Sequence, residues 1–178
     1  GELALALAQR STLRIVAVDP DPENVRRARE TLSAAGLYGT RVVVQQRDLA
    51  MTGYPAYFAD LIVSCRALEA DLDPRCEPEA ARLLRPHGGI RCVGRASDLQ
   101  VTVRGPLEGA GNWTHQYADP ANTVNSGDSL LRGTLGMRWF RDVNFDVPSR
   151  HGRAPAPLVH QWRIFHEGLD GIIAVLAG

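Results

Sequence analysis

The sequence predicts an α/β domain with a parallel sheet, followed by a β-rich segment. A near-continuous apolar run at 13–18 and a second strand pattern at 41–46, with a well-capped helical pattern between them, predict the sheet. After Gly105 the sequence pattern changes. Trp, Asn, Gly and Pro separate short strand-like pieces there, and no helical period is visible. The predicted divisions are an α/β domain at 1–104, a linker at 105–112 and a β-rich segment at 113–178.

The composition is that of an ordinary globular protein. The chain has 178 residues, of which 44% are hydrophobic and 22% are charged, and its formal net charge is zero. All 20 basic residues are arginine, which excludes lysine Schiff-base chemistry and the lysine-dependent phosphate loop. The zero net charge gives no basic field for nucleic acid, and no apolar run approaches the roughly 18 residues that cross a bilayer. The 3 cysteines lack metal-ligand spacing, so we expect structural thiols and no metal site.

The first elements carry recognisable start and stop signals. Residues 2–10 are rich in Leu and Ala and predict a helix. A second helix begins after Asp21, a good N-cap, with a proline at its first position, and runs to Ala35. Gly36 is predicted to adopt the left-handed conformation that ends it, and Leu37 to fold back onto the last turn.

Further strand patterns alternate with one short helical pattern, which indicates a parallel sheet. The strands are predicted at 41–46, 59–64, 90–94 and 99–103, and the short helix at 78–84. In the β-rich segment the strand-like pieces are 136–140, 158–165 and 171–176.

Two acidic residues follow neighbouring strands of the predicted sheet. Asp19 stands at the carboxyl end of the first strand, where a carboxylate can accept two hydrogen bonds from a ribose diol. Asp48 follows the next strand and can accept a bond from an adenine amino group, while Leu49 lies against the ring. The alternative is that each acid is an ordinary turn residue or helix cap.

At these residues the sequence resembles class I S-adenosylmethionine-dependent methyltransferases, and about half of the chain matches. The matching stretches are 13–19, 22–36, 41–49, 59–64 and 84–89. The resemblance implies a partial Rossmann-like fold in which Asp19 holds the ribose and Asp48 the adenine of S-adenosylmethionine. Gly1 looks like the last glycine of the family's glycine-rich loop. An NAD-binding Rossmann domain is the competing interpretation, since both folds place an acid after the second strand.

The sequence departs from that family in two ways. The family's first strand, which lies in the middle of the sheet, and most of its glycine-rich loop are not in this chain. We therefore expect a fragment of a longer protein, with two sheet edges that lack a partner. No catalytic residue can be assigned, and Cys65 fits a structural thiol better than a nucleophile.

The β-rich segment has its own resemblance. The stretch at 113–123, followed by the strand-like pieces, is similar to the start of pyrroloquinoline-quinone-like β-propellers, which in large bacterial proteins are joined to methyltransferase-like domains. One incomplete blade forms no propeller, so no residue is assigned to pyrroloquinoline quinone. We interpret the tryptophans as packing residues, and the spacing of the histidines fits no compact zinc-binding pattern. The residues concerned are Trp113, Trp139, Trp162, His115, His151, His160 and His166.

Three functions follow from these resemblances. The first is an S-adenosylmethionine-dependent methyltransferase-like domain joined to a propeller, acting on an unidentified small molecule or protein. The second is a non-catalytic propeller scaffold with a degenerate methyltransferase-like domain. The third is a quinone-dependent dehydrogenase. Cytoplasmic and periplasmic locations both remain open.

Overall fold

The computed structural model describes residues 1–64, 73–95, 97–134, 156–168 and 171–176. The chain divides into two compact parts, which are treated separately below. Unit 1 comprises residues 1–85 and 90–103, and unit 2 comprises residues 86–89 and 104–178.

Unit 1 begins with two helices packed on a pair of parallel strands. The elements are α1 (Glu2–Arg10), β1 (Ile15–Asp19), α2 (Pro22–Ala34) and β2 (Val42–Gln46). The strands pair in register from Ile15 with Val42 to Asp19 with Gln46. Small and branched side chains from α1, α2 and β2 form the core, so α1 and α2 cover the same face of these strands. The buried members are Ala4, Ala8, Val25, Ala28, Leu32, Val42 and Val44.

Both predicted ends of α2 are confirmed. The Asp21 carboxylate accepts a hydrogen bond of 2.8 Å from the Glu23 amide, which caps the first turn. Gly36 has φ of 68°, and the Leu37 amide donates to the Leu32 carbonyl at 2.9 Å. This is the Schellman arrangement, in which the chain turns back and Leu37 packs against the core.

The prediction that β1 is buried was wrong. Leu13, just before it, is 40% exposed, and Val16 within it is 38% exposed. Among the described strands β1 pairs only with β2, and α1 and α2 cover the face that carries Ile15 and Ala17. Side chains alternate between the two faces of a strand, so Val16 lies on the face that these helices leave open.

The rest of unit 1 forms a second sheet. Its elements are β3 (Leu61–Val63), a 3₁₀ turn (Pro74–Cys76), α3 (Glu77–Leu83), β4 (Ile90–Arg95) and β5 (Asp98–Val103). β3 is parallel to β4, and β5 is antiparallel to β4. The predicted elements are therefore found, but the described strands of unit 1 lie in two sheets.

One face of the second sheet is apolar and exposed. The register places Leu61, Ile90 and Val103 side by side across the three strands. Leu99 and Val101 continue the same face along β5, with 45% and 58% exposure.

Unit 2 contains an antiparallel meander of β6 (Leu158–His160), β7 (Arg163–Glu167) and β8 (Ile172–Leu176). The prediction of one strand-like piece at 158–165 was wrong, because a two-residue turn divides it into a hairpin. Gln161 and Trp162, with φ of 47° and 66°, form this turn. Positive φ at both positions is typical of a type I′ turn, which follows the right-handed twist of the strands. The predicted piece at 136–140 lies outside the described residues.

Candidate functional site

Asp19 is held at the carboxyl end of β1 by the start of α2. Its Oδ1 accepts a hydrogen bond from the Asp21 amide at 2.9 Å. The side-chain amide of Asn24 lies 3.4 Å from both carboxylate oxygens. The carboxylate is partly buried, so its orientation is set by α2 rather than left to solvent.

Asp48 opens a tight turn directly after β2. Its Oδ1 accepts a hydrogen bond of 2.8 Å from the Ala50 amide, and its carbonyl accepts one from the Met51 amide at 3.3 Å. The Asp48 side chain is exposed, and Leu49 beside it is partly buried. Both predicted roles of Asp48, turn residue and adenine contact, are compatible with this geometry.

The strand register brings the two acids to one edge of the first sheet. Asp19 pairs with Gln46, and the amide of the next residue, Arg47, donates to the Asp19 carbonyl at 3.2 Å. Asp48 follows one residue later. Ideal strand geometry, with strands about 4.8 Å apart and a rise of about 3.3 Å per residue, gives roughly 8 Å between the two Cα atoms. That separation is within the length of one nucleoside.

Gly1 precedes α1 and lies against α2. Its carbonyl accepts a hydrogen bond from the Leu5 amide at 3.0 Å. A Cβ atom at this position would lie 3.0 Å from Cα of Ala28 and 3.2 Å from its Cβ. The structure therefore gives Gly1 a packing reason to lack a side chain.

Sequence reasoning missed a buried carboxylate in α3. Glu79 is 7% exposed, and its Oε1 accepts hydrogen bonds from the Thr52 amide at 2.9 Å and the Thr52 hydroxyl at 2.5 Å. The Arg82 guanidinium donates to both carboxylate oxygens at 2.7 and 2.8 Å. The bonds from Arg82, followed by those from Thr52, lower the pKa of Glu79 from 4.5 to about 2. The i, i+3 spacing of Glu79 and Arg82 was the sequence signal, but it is also typical of exposed helices.

The same contacts continue to the end of β2. Arg82 donates to the Tyr54 carbonyl at 2.6 Å, and Arg47 donates to the Thr52 carbonyl at 2.9 Å. The Tyr54 hydroxyl donates to the Gln45 side chain at 2.7 Å. The Arg47 guanidinium also lies 4.9 Å from the centre of the Tyr54 ring. The segment that contains Asp48 is thus tied to β2 on one side and to α3 on the other.

The other predicted positions are described only in part. Trp113 lines a cavity of about 390 Å³ in unit 2 that none of the predicted cofactor residues reaches. The Trp162 ring centre lies 6.3 Å from that of His87. The described residues contain no group of three His, Cys, Asp or Glu side chains arranged to hold a metal ion. Cys65, Trp139 and His151 lie outside them.

No helix in the described part of the chain has the length and apolar character that crossing a bilayer requires.

Comparison with protein families gives one match. Residues 1–88 match the family model described as a methyltransferase domain, a range that includes Gly1, Asp19, Asp48 and Leu49. This match supports a class I methyltransferase-like domain in that part of the chain, and such domains generally use S-adenosylmethionine. Comparisons with curated proteins and with solved structures found no match.

Proposed function

We propose that the α/β part of this chain is an S-adenosylmethionine-dependent methyltransferase-like domain, acting on an unidentified small-molecule or protein acceptor. The observation that carries the proposal is the register of β1 and β2. It sets Asp19 at the end of β1 and Asp48 two residues past the end of the parallel strand β2, and the Arg47 amide donates to the Asp19 carbonyl between them.

The chemistry of these side chains fits an adenosyl group. A carboxylate offers about four acceptor positions, so Asp19 can accept bonds from the Asp21 amide and the Asn24 side chain and also from a ribose diol. Asp48 is exposed and accepts from the amino group of adenine, while the half-buried Leu49 supplies an apolar contact for the ring. Gly1 is the N-cap of α1, and a residue without a side chain there lets a ligand approach the backbone closely.

When bound, S-adenosylmethionine supplies an electrophilic methyl group. The residues of this chain bind and orient its nucleoside part. The methyl acceptor and a catalytic base are left unassigned. In the non-catalytic alternative the α/β part is degenerate, and replacing Asp19 by Ala would leave cofactor affinity unchanged.

We further propose that unit 2 begins a pyrroloquinoline-quinone-like propeller. Val159 exchanges two backbone hydrogen bonds, of 2.8 and 2.7 Å, with Trp113. The bridge between Trp113 and Val159 is antiparallel, like the pairing of β6 with β7 and of β7 with β8. Four antiparallel segments are the composition of one propeller blade, which supports the proposal.

Calorimetric titration with S-adenosylhomocysteine tests the cofactor assignment. We expect saturable binding of S-adenosylhomocysteine to the chain as it stands, and weaker binding of adenosine and of NAD⁺. Absence of heat at millimolar S-adenosylhomocysteine would contradict the proposal. Tighter binding of NAD⁺ would favour the dinucleotide-binding interpretation instead.

A further inference from the structure

We propose that Glu79 is a positioning residue for the adenine side of the nucleoside site. It would act through the loop of residues 48–54, called the adenine-side loop, by fixing where Asp48 and Leu49 stand. This inference rests on the proposed function, since it assigns a role within the same site.

The first step is that Glu79 binds the loop directly. One carboxylate oxygen receives both the amide and the hydroxyl of Thr52, at 2.9 and 2.5 Å. Thr52 is only 6% exposed, so water cannot readily replace Glu79 as its partner. Arg82 holds the same carboxylate from within α3, which keeps Glu79 charged and in place.

The second step is that polar bonds hold the middle of the loop, whereas the ring of Tyr54 at its end stacks on Phe58, with 4.8 Å between the ring centres. Met51 is 76% exposed and Asp48 is exposed, so the middle of the loop has little apolar packing. The loop is instead fixed by polar bonds to its backbone, from Arg47 to the Thr52 carbonyl and from Arg82 to the Tyr54 carbonyl. Its order therefore depends on the charged groups that surround Thr52.

The third step is that the ribose side is held by different residues. Asp19 is oriented by the Asp21 amide and by Asn24, both from the start of α2. These bonds come from α2, whereas the bonds to Thr52 come from Arg47 and Glu79. A change at Glu79 should therefore affect recognition of the base and leave recognition of the sugar unchanged.

Because different residues hold the two sides of the site, a positioning role predicts loss of base recognition alone. A purely structural role would weaken recognition of base and ribose together. Binding of S-adenosylhomocysteine is compared with binding of S-inosylhomocysteine, which lacks the adenine amino group, and with binding of the 2′-deoxy analogue. In the unaltered chain we expect each substitution in the ligand to weaken binding by about tenfold, the value of one charge-assisted hydrogen bond.

The variant Glu79→Gln keeps the shape of the side chain and removes its charge. We expect the preference for adenine over hypoxanthine to fall from about tenfold to near unity, while the ribose preference persists. Thr52→Val is a second and milder variant, because it removes the hydroxyl bond and retains the backbone bond. Glu77→Gln is the matched control on the same helix, since Glu77 pairs with Arg91 instead of the loop.

The outcomes distinguish the inference from the proposed function. An unaltered chain that binds none of the three ligands overturns both. An unaltered chain that prefers adenine, with Glu79→Gln and Thr52→Val variants that prefer it equally, overturns the positioning role alone. Equal loss of the base and ribose preferences in Glu79→Gln also overturns it, since that result indicates general destabilisation.

Discussion

The backbone amide of Arg47 donates a hydrogen bond of 3.2 Å to the carbonyl oxygen of Asp19. This bond extends the parallel pairing of β1 and β2 by one residue beyond Gln46. The sheet therefore sets the position of Asp19 relative to Arg47, the residue before Asp48. The position of Asp48 itself then depends on the adenine-side loop that it opens.

Replacing Asp19 by Asn tests the ribose contact. We expect binding of S-adenosylhomocysteine to weaken by roughly tenfold to a hundredfold, because a hydrogen bond to a charged group contributes about 1.5–3 kcal/mol. Calorimetry measures the change. Asp21→Asn is the control, since Asn also caps helices well and Asp21 is exposed. Equal affinities of Asp19→Asn and the unaltered chain would remove Asp19 from the site.

Acid should destabilise the chain partly through Glu79. Its pKa is about 2 in the folded protein against 4.5 in the unfolded chain, so its contribution is complete above pH 4.5 and disappears as the pH falls towards 2. The contribution is at most about 3 kcal/mol, given 1.36 kcal/mol for each pKa unit. Urea unfolding at several pH values should show that the unfolding free energy falls less on acidification in Glu79→Gln than in the unaltered chain.

Other carboxyl groups also lower the unfolding free energy in acid, in the Glu79→Gln variant and in the unaltered chain alike. The difference between the two profiles of unfolding free energy against pH therefore isolates the contribution of Glu79. The pKa values of these other groups are also lowered, chiefly by hydrogen bonds, and the residues are Glu23, Asp73, Asp119 and Asp128. Glu30→Gln is an exposed control on α2. Identical profiles for Glu79→Gln and the unaltered chain would contradict the assigned bonds.

Replacing Gly36 by Ala should cost about 1–2 kcal/mol of unfolding free energy. No atom lies within 4 Å of the Cβ that this change would add, so the cost comes from φ of 68° and not from a clash. Thermal unfolding measures it. Gly105→Ala is the matched control, because its site is equally open and its φ is outside the left-handed region. A loss of the same size in both variants would speak against the helix end described for α2.

At Gln161, the first position of the turn between β6 and β7, a residue that tolerates positive φ more readily should stabilise the hairpin. Asn tolerates positive φ more readily than Gln, so Gln161→Asn should slow amide exchange in the hairpin by a small factor, while Gln161→Val should accelerate it. Exchange monitored at the β6 and β7 amides checks both. Faster exchange in Gln161→Asn would indicate a different turn.

Local signals in the sequence predicted local structure well. Asp21, Gly36 and Leu37 lie within a few residues of the backbone groups that they cap, so the ends of α2 follow from the sequence. The turn at Gln161 and Trp162 was missed for the opposite reason. Neither residue is typical of positive φ, and the pairing of His160 with Arg163 determines the turn instead.

The burial of the charged Glu79 side chain could not be predicted from the amino-acid sequence. Glu79 stands in the first turn of a short helix, where an acid is expected for the helix dipole and for solvent exposure. Its main partner outside the helix, Thr52, is 27 residues away. Such contacts follow from how the elements pack, and no local pattern reports them. The predicted ligand roles of Gly1, Asp19, Asp48 and Leu49 stay predictions.

The split of unit 1 into two sheets has a consequence for folding kinetics. No described backbone ladder joins β2 to β3, whereas the side chains around Thr52 and α3 link the two sheets. Contacts between residues this far apart in the chain require loop closure, so we expect them to form late in folding. Substitutions there should accelerate unfolding and leave the refolding rate nearly unchanged.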